Sequence, residues 1–130
     1  FFMTTRNRLV APRNVVNSKM LYSFYILKEL SEGKVIFGNK VLEVFKETFS
    51  KSSMPFPVSS STIYETLYDL ELKGYVKSSW VGDEFLNKRS KKTYSITDDG
   101  IYYYNHHIAD YIDNLKRTKS TLDLMINMLI

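Results

Sequence analysis

The sequence predicts an α+β protein that is mainly α-helical, and three observations lead to this prediction. Four segments place apolar residues at helical spacing. Two short β-rich segments with a polar loop between them separate the third of these segments from the fourth. The apolar pattern of the last segment repeats every seven residues. The chain has 130 residues, 44% hydrophobic and 25% charged, which fits one globular domain with a single core.

The first part of the chain is expected to form two helices and an extended link. Residues 18–33 predict a helix that Ser18 can cap and that Gly33 can end in the left-handed conformation. Residues 35–50 predict a second, amphipathic helix. Two prolines in residues 51–58 disfavour helix at the residues before them, so this segment is expected to be extended.

The third helix begins in a run of hydroxyl residues and carries three carboxylates against one lysine. Ile63, Leu67 and Leu70 lie at i, i+4 and i+7 and predict its buried stripe. Gly74 stands where a C-terminal glycine is expected. The helix therefore has clear boundaries, but its charge is the opposite of what a DNA-contacting surface usually carries.

Residues 75–81 and 92–97 predict the two strands of a β-hairpin, and residues 82–91 form its loop. Trp80 lies on the first of these strands. We expect it to pack in the core or in the hairpin, and an effector site is the alternative.

The last helix is expected to begin after Thr97, which can cap it, and to run to the end of the chain. A helix of this length in a small domain cannot bury its whole apolar stripe within one chain. The same helix of a second copy, related by a two-fold axis, is the predicted partner. The alternative is a terminal helix folded back on its own core. The predicted dimer-interface residues are Ile101, Tyr104, Ile108, Tyr111, Ile112, Leu115, Leu122, Met125, Ile126 and Leu129.

Positive charge is concentrated in two places, although the net charge is only +4. Residues 1–19 hold four basic side chains and no acid, and residues 87–92 hold four more, also without an acid. The rest of the chain has ten basic and fourteen acidic residues. Focused charge of this kind suggests a polyanionic partner, and a solvated tail and loop are the alternative.

The predicted order of elements is that of a winged helix-turn-helix. In this plan a helix can enter the major groove of a duplex, and a basic hairpin tip can lie along phosphates or in an adjacent minor groove. The chain is accordingly divided into a basic N-terminal arm (1–17), a winged helix-turn-helix DNA-binding domain (18–97) and a C-terminal dimerisation helix (98–130).

Two motifs in this order resemble the PadR (phenolic acid decarboxylase regulator) family of transcriptional regulators. The first is STIYETLYDLELKGYV and the second is KKTYSITDDG. The resemblance covers roughly residues 18–130. The matching residues are Thr62, Tyr64, Leu67, Leu70, Gly74 and Val76 in the first motif, and Lys92, Tyr94, Ser95, Ile96, Thr97 and Gly100 in the second.

The resemblance implies a homodimer that binds double-stranded operator DNA as a repressor, in many members released by a small aromatic effector. Ser60 and Ser61 stand where the family commonly has Pro-Gly, and Tyr68 and Asp69 stand where it commonly has basic residues. Replication terminator proteins and plasmid segregation proteins share this fold and remain alternatives. A ligand-sensing or protein-interaction module without strong DNA binding is the alternative of another class, motivated by the acidic third helix.

The candidate DNA contacts follow from this plan. One hydroxyl of the serine run caps the third helix: the family alignment favours Ser59, although Thr62 and Glu65 also fit a capping box. The other hydroxyls are free for phosphate or base contacts. The arm arginines could enter a minor groove or be disordered. The predicted DNA-binding residues are Ser59, Ser60, Ser61, Thr62, Tyr64, Lys88, Arg89, Lys91, Lys92, Arg6, Arg8 and Arg13.

The sequence shows no catalytic or metal-binding pattern. It has no nucleophile–base set and no phosphate loop, and the adjacent His106 and His107 point about 100° apart on a helix, so they cannot chelate one metal. We expect neither an enzyme nor a bound cofactor. The absence of cysteine and of a long apolar segment favours a cytoplasmic protein with no membrane partner.

Overall fold

The computed structural model describes residues 17–52, 58–82 and 91–130, which form four helices and a small antiparallel sheet. The prediction of a mainly helical α+β winged helix-turn-helix is confirmed. In chain order the elements are α1 (Ser18–Ser31), β1 (Ile36–Phe37), α2 (Gly38–Phe49), α3 (Ser60–Leu72), β2 (Val76–Val81), β3 (Lys91–Ile96) and α4 (Asp98–Leu129).

Strand β3 is the centre of the sheet and pairs antiparallel with both β1 and β2. The hairpin register runs from Val76 opposite Ile96 to Val81 opposite Lys91. Strand β1 was not predicted, because residues 35–50 were expected to be helical throughout. Its two residues continue the apolar pattern of α2, and only the pairing of Ile36 with a residue of β3 makes them a strand.

The helix boundaries follow local signals, with one correction. Asn17, not Ser18, caps α1, and its side-chain oxygen accepts hydrogen bonds from the first-turn backbone N–H groups. Gly33 and Gly74 have φ values of 84° and 82°, as expected for glycines that end helices in the left-handed conformation. Thr97 caps α4 by accepting a hydrogen bond of 3.0 Å from the N–H of Gly100.

The core lies between α1, α2, α3 and the sheet. The predicted stripe of α3 is confirmed, since Ile63, Leu67 and Leu70 are all buried. Tyr22 of α1 is also fully buried, and its ring meets Phe45 of α2 edge-on at 4.7 Å between centroids. Each such large side chain contributes about 1.5–3 kcal/mol through burial, so α3 is held by its apolar face and presents its other face outward.

Only the first half of α4 packs against the rest of the described chain. Tyr103 stacks on Tyr75 with centroids 4.4 Å apart, and Tyr111 stacks on Phe24 of α1 at 4.6 Å. From residue 119 onward every residue of α4 is exposed. The helix is therefore not folded back on its own core along its whole length.

Gly100 occupies a position in α4 where a larger side chain has no room. A Cβ there would meet the backbone of Tyr75, with its carbonyl carbon at 3.0 Å, and the side chain of Ile96 at 2.7 Å. Because backbone cannot move aside as a flexible side chain can, we expect Gly100→Ala to lower the free energy of unfolding by about 1–3 kcal/mol. Urea denaturation at one fixed protein concentration measures this change.

Asn105→Ala, at an exposed position of the same helix, is the matched control and should change the free energy of unfolding by less than about 0.5 kcal/mol. Equal stability of the Gly100→Ala variant and the parent protein would contradict the close contact between α4 and residue 75.

Candidate nucleic-acid interface

The first turn of α3 presents hydroxyl groups to solvent. Ser59 is its N-cap: the side-chain oxygen accepts a hydrogen bond of 3.3 Å from the N–H of Thr62. The N–H of Ser59 in turn donates to the hydroxyl of Tyr22 at 3.2 Å, which ties this turn to the core. Ser60 and Ser61 are exposed at the positive end of the helix dipole. One predicted DNA-contact residue is therefore a cap, and the next two are accessible to an anion.

Tyr64, one turn further along α3, lies across the start of α2. Its side chain is 49% exposed. A Cβ on Gly38 would come within 2.8 Å of Cζ in the tyrosine ring, so the ring position depends on the glycine. Sequence reasoning missed this role of Gly38, because nothing local to the glycine indicates which ring packs on it.

The three carboxylates of α3 are paired within the chain. Lys19 of α1 forms ion pairs with Asp69 and, at 3.4 Å, with Glu65. The hydrogen bond to Asp69 raises the pKa of Lys19, and partial desolvation opposes that rise. Glu71 accepts a hydrogen bond of 2.6 Å from the hydroxyl of Ser78. Solvent-exposed pairs add little stability, but these pairs reduce the negative charge that α3 presents.

The two described lysines of the hairpin have different environments. Lys91 is exposed, and its ammonium lies 5.5 Å from the ring centroid of Phe37. The ammonium of Lys92 lies 5.9 Å from the ring of Trp80 and 3.7 Å from Oε1 of Glu71. Lys91 is thus the hairpin lysine that is available to an external anion, while Lys92 is engaged by its own chain.

Trp80 is not a core residue, so the expectation of core packing is wrong. Its side chain is 69% exposed, because of the residues of β2 only Val76 is buried. It contributes to a concave surface between α3, the start of α2 and the hairpin, with a volume of about 530 Å³. We call this surface the aromatic groove, and its residues are Phe37, Gly38, Asn39, Tyr64, Tyr68, Trp80, Lys91, Lys92 and Tyr94.

Five predicted DNA-binding residues lie outside the described residues. They are the arm residues Arg6, Arg8 and Arg13 and the hairpin-loop residues Lys88 and Arg89. Their contribution to binding stays a prediction.

The predicted dimer-interface residues fall into two groups along α4. Tyr104, Ile108 and Leu115 are half-buried, and Tyr111 is buried against Phe24 of its own chain, so Tyr111 belongs to the body of the protein. Burial raises the pKa of Tyr111, whose hydroxyl has no hydrogen-bond partner among the described residues. The second group is 39–88% exposed: Ile101, Ile112, Leu122, Met125, Ile126 and Leu129.

The described residues contain no group of three His, Cys, Asp or Glu side chains that could hold a metal ion. His106 and His107 instead lie against aromatic rings, with centroid distances of 3.8 Å to Tyr102 and 4.5 Å to Tyr103. None of the described helices combines the length and apolarity needed to cross a membrane.

Comparisons with known proteins agree with this architecture. A family model described as the transcriptional regulator PadR-like family matches residues 26–106. A comparison with curated protein sequences finds no match.

Similar solved structures include a protein of Thermoplasma acidophilum proposed to be a transcriptional regulator (24% identity, 84% of this chain and 93% of that chain, TM-score 0.60). A PadR family transcriptional regulator from Eggerthella lenta is 18% identical over 77% of this chain and 80% of its own, with a TM-score of 0.58. Bacillus subtilis PadR in complex with operator DNA is 23% identical, covering 66% of this chain and 45% of that chain, with a TM-score of 0.53. These similarities support the winged-helix fold.

Ser59 and Ser60 differ in role although they are neighbours of the same type. Ser59→Ala removes the side-chain cap of α3, and we expect it to lower the free energy of unfolding by about 1 kcal/mol. Ser60→Ala, the matched control, removes an exposed hydroxyl and should change that free energy by less than about 0.5 kcal/mol. Chemical denaturation of both variants tests the assignment, which is wrong if the two variants lose the same stability.

Proposed function

Because the chain belongs to the transcriptional regulator PadR-like family, we propose that it binds double-stranded DNA sequence-specifically as a homodimer and represses transcription. The observation that carries the proposal is the accessible, hydroxyl-bearing first turn of α3, which lies beside the hairpin lysines. In the proposed complex the start of α3 enters the major groove and the hairpin contacts phosphates. The operator complex of Bacillus subtilis PadR supports this assignment of function.

The proposed contacts divide the work between elements. Ser60, Ser61 and Tyr64 contribute contacts from α3 to bases or to the phosphates next to them. Lys91, with Lys88 and Arg89 of the loop, supplies attraction to phosphates. Arg6, Arg8 and Arg13 of the arm are proposed to reach a minor groove. This role places the protein in the compartment that holds the DNA.

The ion pairs of Lys19 support DNA binding by an acidic helix. Without that lysine, Glu65 and Asp69 would stand unpaired on the element proposed to approach the phosphates. Like charges facing each other across an interface oppose association. With the pairs formed, the hydroxyl groups and Tyr64 are the features of α3 that meet the duplex.

The exposed part of α4 supports the proposed dimer. The helix has 32 residues and is about 48 Å long, and the half that extends beyond the body carries an apolar row. Leu122, Met125 and Leu129 continue the seven-residue pattern at exposed positions. A second α4 packed on this row would bury it and would place two copies of α3 on one duplex.

DNA binding is tested by anisotropy of a labelled duplex taken from upstream of the protein's own gene, with a scrambled duplex as competitor. We expect Lys91→Ala to weaken binding by about three- to tenfold and to lower the slope of log affinity against log salt by about one. Lys77→Ala, at an exposed position of β2 outside the aromatic groove, is the matched control and should retain both values. Binding that does not depend on salt would refute the phosphate contacts of the hairpin.

Dimerisation is tested with a pair of exposed leucines. Leu122 lies on the seven-residue row and Leu124 lies off it, two residues further along the same helix. Leu122→Asp places a charge in the proposed interface, so we expect sedimentation velocity to show a monomer at concentrations where the parent protein is a dimer. Leu124→Asp should remain dimeric. A monomeric parent protein, or a Leu122→Asp variant as dimeric as the parent, argues against this interface.

A further inference from the structure

We propose that the aromatic groove is a binding site for a planar aromatic molecule with one negative charge, and that its occupant excludes DNA. The first part stands on the groove alone. The second part rests on the proposed DNA-binding function, because Tyr64 belongs both to the groove and to the surface assigned to DNA.

The size and walls of the groove favour a small aromatic ligand. Its volume of about 530 Å³ lies within the range of roughly 300–1,000 Å³ that is usual for small-molecule sites. Five aromatic side chains line it, of which Tyr64, Tyr68 and Trp80 are 49%, 61% and 69% exposed. Rings exposed around one concavity offer faces and edges on which another ring can stack.

The charge around the groove favours an anion. The ammonium of Lys91 has no carboxylate partner among the described residues, and the ammonium of Lys92 shares its charge with Glu71. The third positive feature is the start of α2, which lines the groove through Gly38 and Asn39 and has no side-chain cap. Uncapped N–H groups and the helix dipole attract negative charge at that point.

These two features together define the ligand class. A neutral aromatic molecule would leave the lysine and the helix N-terminus without a counter-charge. Inorganic phosphate, or a phosphate of the DNA backbone, would satisfy the cations but has no planar face for the rings. An aromatic carboxylate matches both the walls and the charge.

The position of the groove between α3 and the hairpin gives its occupant an effect on DNA binding. A duplex that contacts Tyr64 and Lys91 at the same time must cover the mouth of the groove. Mutually exclusive binding raises the apparent Kd for DNA by one plus the ratio of ligand concentration to ligand Kd. A ligand present at ten times its Kd therefore weakens DNA binding by about elevenfold.

Trp80 makes the binding test specific to this site, because it is the one tryptophan of the chain. In a heteronuclear NMR spectrum, the single indole N–H resonance reports on the groove. We expect the aromatic carboxylate 2-naphthoate to shift this resonance saturably. Its neutral analogue 2-naphthamide should bind at least about threefold more weakly, because it carries no charge for the lysine and the helix N-terminus.

Matched variants locate the site. Tyr68→Leu and Lys91→Met should each weaken 2-naphthoate binding at least about threefold, since one removes a stacking ring and the other the unpaired cation. Tyr102→Leu and Lys77→Met change exposed residues of the same types outside the groove and should keep the parent affinity. The proposal fails if 2-naphthoate does not shift the indole resonance or if the control variants lose as much affinity.

Two further arms separate the alternatives. If inorganic phosphate shifts the indole resonance while 2-naphthoate does not, the groove is a phosphate site and the proposal is overturned. In the anisotropy assay, 2-naphthoate should weaken DNA binding of the parent protein more than that of Tyr68→Leu. An unchanged DNA affinity at saturating 2-naphthoate overturns the exclusion. A protein that binds no duplex at all refutes the proposed function, and the NMR titration still decides the ligand site.

Discussion

The rest of the structure depends on the hydrogen bonds of Thr97, where three elements meet. Its hydroxyl donates to the carbonyl of Gly74 at 2.6 Å and accepts from the N–H of Gly100, while its backbone N–H donates to the carbonyl of Tyr75 at 3.0 Å. These bonds join the end of α3, the closed end of the sheet and the start of α4. The direction of the long helix is therefore set by the same residue that holds α3 beside the sheet, and the close packing of Gly100 on this junction leaves little freedom to change it.

This junction connects the features proposed to act on DNA. The body presents the serine turn, the aromatic groove and the hairpin lysines on neighbouring elements, so a contact made by one of them orients the others. The charges of α3 are balanced within the fold by Lys19 of α1 and by the hairpin. Attraction to a polyanion then falls to the hairpin and to the arm, whereas the start of α3 supplies contacts that depend on position.

The elements that could be predicted from the sequence are those with local signals. The boundaries of α3 follow from a capping serine and a left-handed Gly74, and α4 follows from its seven-residue repeat. Strand β1, the ion pairs of Lys19 and the exposure of Trp80 depend on residues distant in the chain. The same limit explains the aromatic groove, since each of its rings is an ordinary packing residue until the fold places them around one concavity.

A weakly charged helix makes DNA affinity depend on assembly. One body offers few unpaired cations among its described residues, so a single copy has limited electrostatic attraction to a duplex. Two bodies joined through α4 would bind with the second contact made at a high effective concentration, which multiplies weak affinities without any new contact. Because Thr97 and Gly100 link α4 rigidly to α3, the spacing of the two helices in such a dimer would be set by the fold. Specificity then comes from that spacing as well as from the residues at the start of α3.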